Sequence, residues 1–211
     1  MPKVFIVGGR APAYERMYTD AGWDLCKGPL KADLIQFTGG EDVSPCLYGE
    51  ERHRTTGDNL ERDLYEASFF AFARRMGIPM AGICRGGQFL NVMCGGSMYQ
   101  HVNKHATGLN HILTDVATGG KISVSSTHHQ MMRAGPGAEL VATAALGGFK
   151  EYMQGNEVAK CLDAEEPDTE VVYYAACKAL CFQPHPEFFD KADQCPQYFF
   201  ELLDRYHGLR A

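Results

Sequence analysis

Residues Met80-Ala81-Gly82-Ile83 form a short apolar run that leads directly into Cys84-Arg85-Gly86-Gly87-Gln88, and a helix-like run over residues 89–93 follows. Gly82-Ile83-Cys84-Arg85-Gly86 has the G-x-nucleophile-x-G spacing of a strand-to-helix elbow, with a thiol in the central position. Glycine is needed on either side because the turn is tight and a Cβ there would meet neighbouring backbone. The spacing predicts a Cys84 thiol held at a helix N-terminus, where the helix dipole favours the thiolate that attacks. A buried, inert cysteine in a glycine-rich loop is the simpler alternative from this segment alone.

Outward from the elbow the chain alternates strand and helix signals. Residues 3–7 read as a buried strand running into Gly8-Gly9, and residues 12–21 as a helix stopped by Gly22. Residues 33–37 form a second apolar run, broken at Thr38-Gly39-Gly40-Glu41-Asp42. A polar, irregular segment over residues 41–60 precedes a helix over residues 61–76, which Gly77 and Pro79 end. Beyond the elbow, residues 122–124, 140–144, 171–174 and 179–182 read as strands. Residues 147–170, ending in Asp163, Glu165, Glu166, Asp168 and Glu170, read as a long solvated loop. Residues 196–206 form a last amphipathic helix, with Phe199, Leu202, Leu203 and Tyr206 on one side. Strands alternating with helices predict an α/β fold: a mostly parallel sheet covered on both faces, with its site at the strand C-terminal ends. No linker or repeat interrupts the 211 residues, so one domain over residues 1–211 is expected.

Composition narrows the function classes. A net charge of −6 gives no basic stripe for nucleic acid. No apolar run approaches the roughly 18 residues that a membrane span needs. The first residues carry no signal-peptide pattern, which predicts a cytosolic (cytoplasmic) protein with its eight cysteines as free thiols.

A cysteine nucleophile needs a base that later protonates the leaving amine. Gln183-Pro184-His185-Pro186-Glu187 follows the strand over residues 179–182, so a parallel sheet puts His185 on the same edge as Cys84. The flanking prolines restrict the loop, and Glu187 is spaced to orient the ring. Gly39-Gly40 closes the strand over residues 33–37, and the bare backbone N–H groups of these two glycines, with that of Arg85, could face an oxyanion. Each of these segments also has an ordinary reading, as a surface ion pair or a tight turn. The Arg85 side chain reads as structural, paired to nearby carboxylates.

Taken together, the motifs resemble those of the class I glutamine amidotransferase superfamily, and more narrowly its γ-glutamyl hydrolase branch, peptidase family C26. The likeness runs in order from Gly39-Gly40-Glu41-Asp42-Val43-Ser44-Pro45 through Tyr48-Gly49-Glu50, Arg62-Asp63, Gly77-Ile78-Pro79 and residues 82–88. It continues through Leu90-Asn91-Val92, Gly95-Gly96-Ser97-Met98-Tyr99-Gln100 and Ser126-Thr127-His128-His129-Gln130 to residues 183–187. The resemblance implies a flavodoxin-like three-layer sandwich. It further implies Cys84 as nucleophile, His185 as acid/base, Glu187 as its orienting carboxylate, and Gly40 and Arg85 as oxyanion N–H donors. Gln88, His128 and Gly39 would border the substrate. Thr38 and Pro184 depart from the family pattern, which often has proline and an aromatic residue there.

Three readings follow. The first is a free-standing hydrolase of a small γ-glutamyl amide, working without a cofactor. The second is a glutaminase subunit feeding ammonia to a separate synthetase partner. The third is a non-catalytic module that kept the fold. His101-x₃-His105 would put two imidazoles on one helix face, and Cys177-x₃-Cys181 has a similar spacing, but neither has the pattern that makes zinc persuasive, so a metal site is not expected. Neither a nucleic-acid nor a membrane partner is expected.

Overall fold

A computed structural model of the chain describes residues 1–8, 11–162 and 167–210. Gly9 of the expected first loop, and Asp163, Glu165 and Glu166 of the expected acidic loop, lie outside the described residues. The first half comprises β1 (Lys3–Ile6), α1 (Pro12–Asp20), β2 (Asp24–Leu25), β3 (Leu34–Phe37), α2 (Leu60–Met76), β4 (Met80–Ile83) and α3 (Arg85–Met93). There follow β5 (Ser97–Tyr99), β6 (His101–Val102), β7 (Ala106–Asp115), β8 (Lys121–Thr127), β9 (Met131–Arg133) and β10 (Ala138–Ala144). The chain closes with β11 (Phe149–Gln154), β12 (Glu157–Leu162), β13 (Asp168–Tyr174), β14 (Ala179–Phe182) and α4 (Gln194–His207).

The central sheet runs β2-β1-β3-β4-β14-β13-β10-β7-β8. Its first five strands are mutually parallel, and the remaining pairings are antiparallel. Register then decides where the site falls. Phe37 pairs with Gly82 and Ile83 with Phe182, so the chain leaves β3, β4 and β14 at adjacent points on one edge.

Strand alternation builds the three layers. Leu34, Ala81, Ile83, Leu180 and Phe182 pack on one face with Met17 and Tyr18 of α1 and Phe199, Leu202 and Leu203 of α4. Ile35, Phe37, Met80, Ala179 and Cys181 face the other way, against Phe70 and Ala73 of α2 and Phe89 and Leu90 of α3. Each large aliphatic or aromatic side chain buried this way contributes about 1.5–3 kcal/mol, which is why the short strands are apolar on both faces. Asn59 caps α2 by accepting the Arg62 N–H at 3.1 Å, and Gly77, at φ 67°, ends it.

The second half corrects two expectations. Over residues 149–162 the expected solvated loop is instead a hairpin: β11 and β12 pair with each other and join β6 in a three-stranded sheet. Gln154 pairs with Glu157, leaving Gly155-Asn156 as a two-residue turn, a hairpin signal that the polar composition of the strands obscured. His101 and His105 do not share a helix face, since His101 lies in β6 and His105 just precedes β7. All eight cysteines are free thiols. No described helix is long and apolar enough to cross a membrane.

Candidate active site

Cys84 sits between β4 and α3 with φ 51° and ψ −114°, a left-handed backbone that a non-glycine residue holds only under strain. The neighbouring glycines make the elbow sterically feasible. A Cβ on Gly82 would lie 2.2 Å from the Gly86 carbonyl oxygen, and one on Gly86 would lie 2.4 Å from that of Phe37. Arg85 begins α3, so its N–H has no acceptor within the helix.

His185 follows β14 and meets Cys84 across the parallel pair. Its Nδ1 lies 2.7 Å from Glu187 Oε1, its backbone N–H donates to Ser125 Oγ at 2.8 Å, and its ring stacks on Phe188 at 4.4 Å. Burial disfavours a charged ring here, yet hydrogen bonds to the Cys84 thiol and to Glu187, with their charges, push His185 up to about 10. Gly39 passes so close that a Cβ there would lie 2.9 Å from His185 Cε1 and 3.8 Å from Cys84 Cβ. Thiol, imidazole and carboxylate thus stand in sequence, with the Gly39-Gly40 backbone alongside.

Two supports were not legible in the motifs. The Tyr14 hydroxyl, from the first turn of α1, accepts the Gly39 N–H at 2.8 Å and lies near the Glu187 carboxylate. Burial first, and then the Glu187 charge, hold this phenol well above its usual range, so it stays neutral. The Gly39 N–H is therefore engaged within the protein rather than free for a ligand. Arg62 donates to the Gly39 carbonyl at 2.9 Å and to Glu66 and Glu41 at 2.9 and 2.8 Å, clamping the glycine turn from outside. The Arg85 guanidinium is buried against Asp63 and Glu66 with Phe89 beneath it, so the side chain anchors α2 to α3.

Residues 30–118 match the Peptidase C26 family model. A provisionally named glutamine amidotransferase-like protein of Lactococcus lactis subsp. cremoris is 42% identical over 38% of this chain and 43% of its own length. The chain spans less than half the length of the curated relatives it matches. Among solved structures, a protein provisionally identified as part of a GMP synthase, from Thermoplasma acidophilum, superposes with a TM-score of 0.65 at 18% identity, covering 99% of this chain and 94% of that one. A glutamine amidotransferase from Thermotoga maritima gives 0.59 at 17% identity, over 97% of this chain and 83% of that one. The fold is that of the class I glutamine amidotransferases.

Within this fold the remaining motif residues behave unequally. Cys84, Gln88, Gly40, Thr127 and His128 border one cleft of about 250 Å³. Gln88 lies one turn after Cys84, but its Nε2 donates inward to Gln183 Oε1 at 3.2 Å and to the Gln130 carbonyl at 3.3 Å. The His128 ring faces away from the cleft, with Nδ1 2.8 Å from the Gln130 carbonyl oxygen and Nε2 3.6 Å from Glu170 Oε1. His128 therefore offers the cleft wall its backbone rather than its imidazole. Thr38 contributes two acceptors, its carbonyl and Oγ1, to Arg62 at 3.2 Å each, and Pro184 is buried.

Proposed function

We propose that this chain hydrolyses a γ-glutamyl amide bond, in glutamine or in a γ-glutamyl amine, through a γ-glutamyl thioester on Cys84. The observation that carries this reading is the strained elbow cysteine set beside His185 at Gly39, with His185 Nδ1 2.7 Å from Glu187. A ring held up to about 10 is charged at neutral pH and so carries the proton that the leaving amine needs.

Cys84 Sγ adds to the γ-carbonyl carbon, and the Gly40 and Arg85 N–H groups receive the developing oxyanion. As the C–N bond breaks, His185 gives its proton to the departing ammonia or amine. Water then adds to the thioester carbonyl while His185 takes a proton from it. Collapse expels the Cys84 thiolate and releases glutamate. Glu187, supported by Tyr14, keeps the ring oriented through both half-reactions.

The test is steady-state glutamate release from glutamine and a panel of γ-glutamyl amines, with Cys84→Ala as blank. Turnover of one of them that vanishes in Cys84→Ala supports the proposal; no turnover, with no labelling of Cys84 by a thiol-reactive glutamine analogue, sinks it. The likeness to a GMP synthase component supports a second reading, in which the chain supplies ammonia to a separate synthetase. Weak glutaminase activity that rises when such a partner is added would favour that alternative.

A further inference from the structure

Behind the cleft wall, three loop and strand segments bring buried ionisable side chains together that the thioester chemistry does not use. Glu170, on β13, is fully buried. Three imidazoles face its Oε1: His111 Nε2 from β7 at 3.1 Å, His105 Nδ1 at 3.3 Å and His128 Nε2 at 3.6 Å. Although these atoms are close, none of the three nitrogens, nor either Glu170 oxygen, makes an aligned hydrogen bond among the described residues. Buried polar atoms left this way are costly.

We propose that His105, His111 and Glu170 hold a divalent cation of zinc's class, with His128 Nε2 beside it as the fourth donor. The spacing supports this. Four ligands at ~2.0–2.1 Å from a tetrahedral ion lie about 3.3–3.4 Å from one another. The three nitrogen–oxygen separations, 3.1, 3.3 and 3.6 Å, bracket that edge length. The donor atoms of His105, His111 and Glu170 all fall within 4.8 Å of one another. His128 Nε2, 3.6 Å from Glu170 Oε1, stands outside that group of three and would move inward to complete the set.

The hydrogen-bond chemistry argues the same way. His128 Nδ1 lies 2.8 Å from the Gln130 carbonyl oxygen, which only accepts, so that nitrogen carries the proton. In the neutral ring, Nε2 then presents a lone pair toward a carboxylate oxygen, a repulsive meeting unless a cation lies between them. The far nitrogen of His105, Nε2, lies 3.3 Å from Asp168 Oδ2, and Asp168 in turn pairs with Lys150 at 2.9 Å. A carboxylate on the second nitrogen of a ligand histidine is the usual way such a ring is oriented. Imidazoles with one carboxylate suit a borderline ion such as Zn²⁺ rather than Ca²⁺ or Mg²⁺, which prefer all-oxygen sets.

The role is structural. Glu170's carbonyl accepts the Gln183 N–H at 2.8 Å, and Gln183 opens the loop that carries His185. His128 belongs to the segment forming the opposite wall of the cleft. An ion here would tie β7, β13 and both walls together without touching the reacting atoms.

The test uses the untagged full chain, stripped by chelator, loaded with Zn²⁺ and dialysed, then measured by inductively coupled plasma mass spectrometry. Expected are about one zinc per chain, a rise in Tm of about 5–10 °C with excess Zn²⁺, and visible tetrahedral bands with Co²⁺. His111→Gln should lower zinc to background, whereas Cys84→Ala should keep it. Two results overturn the proposal. One is a folded wild-type chain that retains no zinc and whose Tm and spectrum ignore both ions, which would make the cluster a proton-bridged one. The other is zinc lost in Cys84→Ala, which would put the ion on the elbow thiol. Neither readout depends on turnover.

Discussion

The Tyr14 hydroxyl oxygen stands 2.8 Å from the Gly39 amide nitrogen and accepts its N–H, while the same buried hydroxyl lies close enough to Glu187 to feel its charge. One side chain from α1 thereby couples the loop after β3 to the loop after β14, the two loops that flank Cys84. Tyr14→Phe should lower kcat about tenfold with little change in KM, because it loosens the ring-orienting carboxylate and removes no substrate contact. It should also cost about 1–2 kcal/mol of stability by orphaning the Gly39 N–H. Steady-state kinetics and urea titration check both; a raised KM with unchanged kcat would mean that the hydroxyl touches substrate instead.

Strain at the elbow predicts a trade between stability and activity. Cys84→Gly should be inactive yet unfold later than Cys84→Ala, by about 1–2 kcal/mol, because only glycine adopts φ 51° without penalty. Thermal unfolding of the two variants side by side measures it, and equal Tm values would mean the backbone relaxes.

The pH dependence follows from His185. Its folded value is raised to about 10 from 6.5, against the effect of burial and through Cys84 and Glu187. A raised value means its stabilising contribution is fully present below about pH 6.5 and is lost as pH rises toward 10. Stability should therefore fall through that window, and turnover should fail on the alkaline side as the general acid deprotonates. Glu187→Gln should shift the alkaline limb of the rate profile toward neutrality. An unmoved limb would show that another group sets it.

Arg85 predicts a large folding effect with no direct part in chemistry for its side chain. Arg85→Met leaves the fully buried Asp63 without its cation and the fully buried Glu66 with Arg62 alone. The expected loss is about 3–5 kcal/mol by denaturant unfolding, or failure to accumulate as soluble protein. The double variant Arg85→Met with Asp63→Asn should recover part of that loss, since one buried charge goes with its partner.

Much of this molecule was legible in local sequence. The elbow followed from Gly82, Cys84 and Gly86, whose spacing is dictated by contacts within a few residues. The edge shared by Cys84 and His185 followed from two apolar strands that a parallel sheet buries on both faces. Weak local signals failed instead. β7 carries Gly108 and exposed Leu109 and Ile112, and the β11–β12 hairpin is too polar to stand out from a loop. Gln88 and His128 lie at the cleft, but their polar groups turn inward, a direction that motif position does not encode.

Steric contacts and hydrophobic alternation over short spans were enough to set the strand–elbow–helix unit and the layered core. They also set the order in which thiol, imidazole and carboxylate arrive at one edge, and all of this is written in the residues themselves. Long-range packing alone placed Tyr14 beside Glu187, made Arg62 and Arg85 share Glu66, and turned His105, His111 and His128 toward Glu170. No periodicity connects these groups along the chain. Burial selects which charges must meet, because an unpaired one could not stay inside.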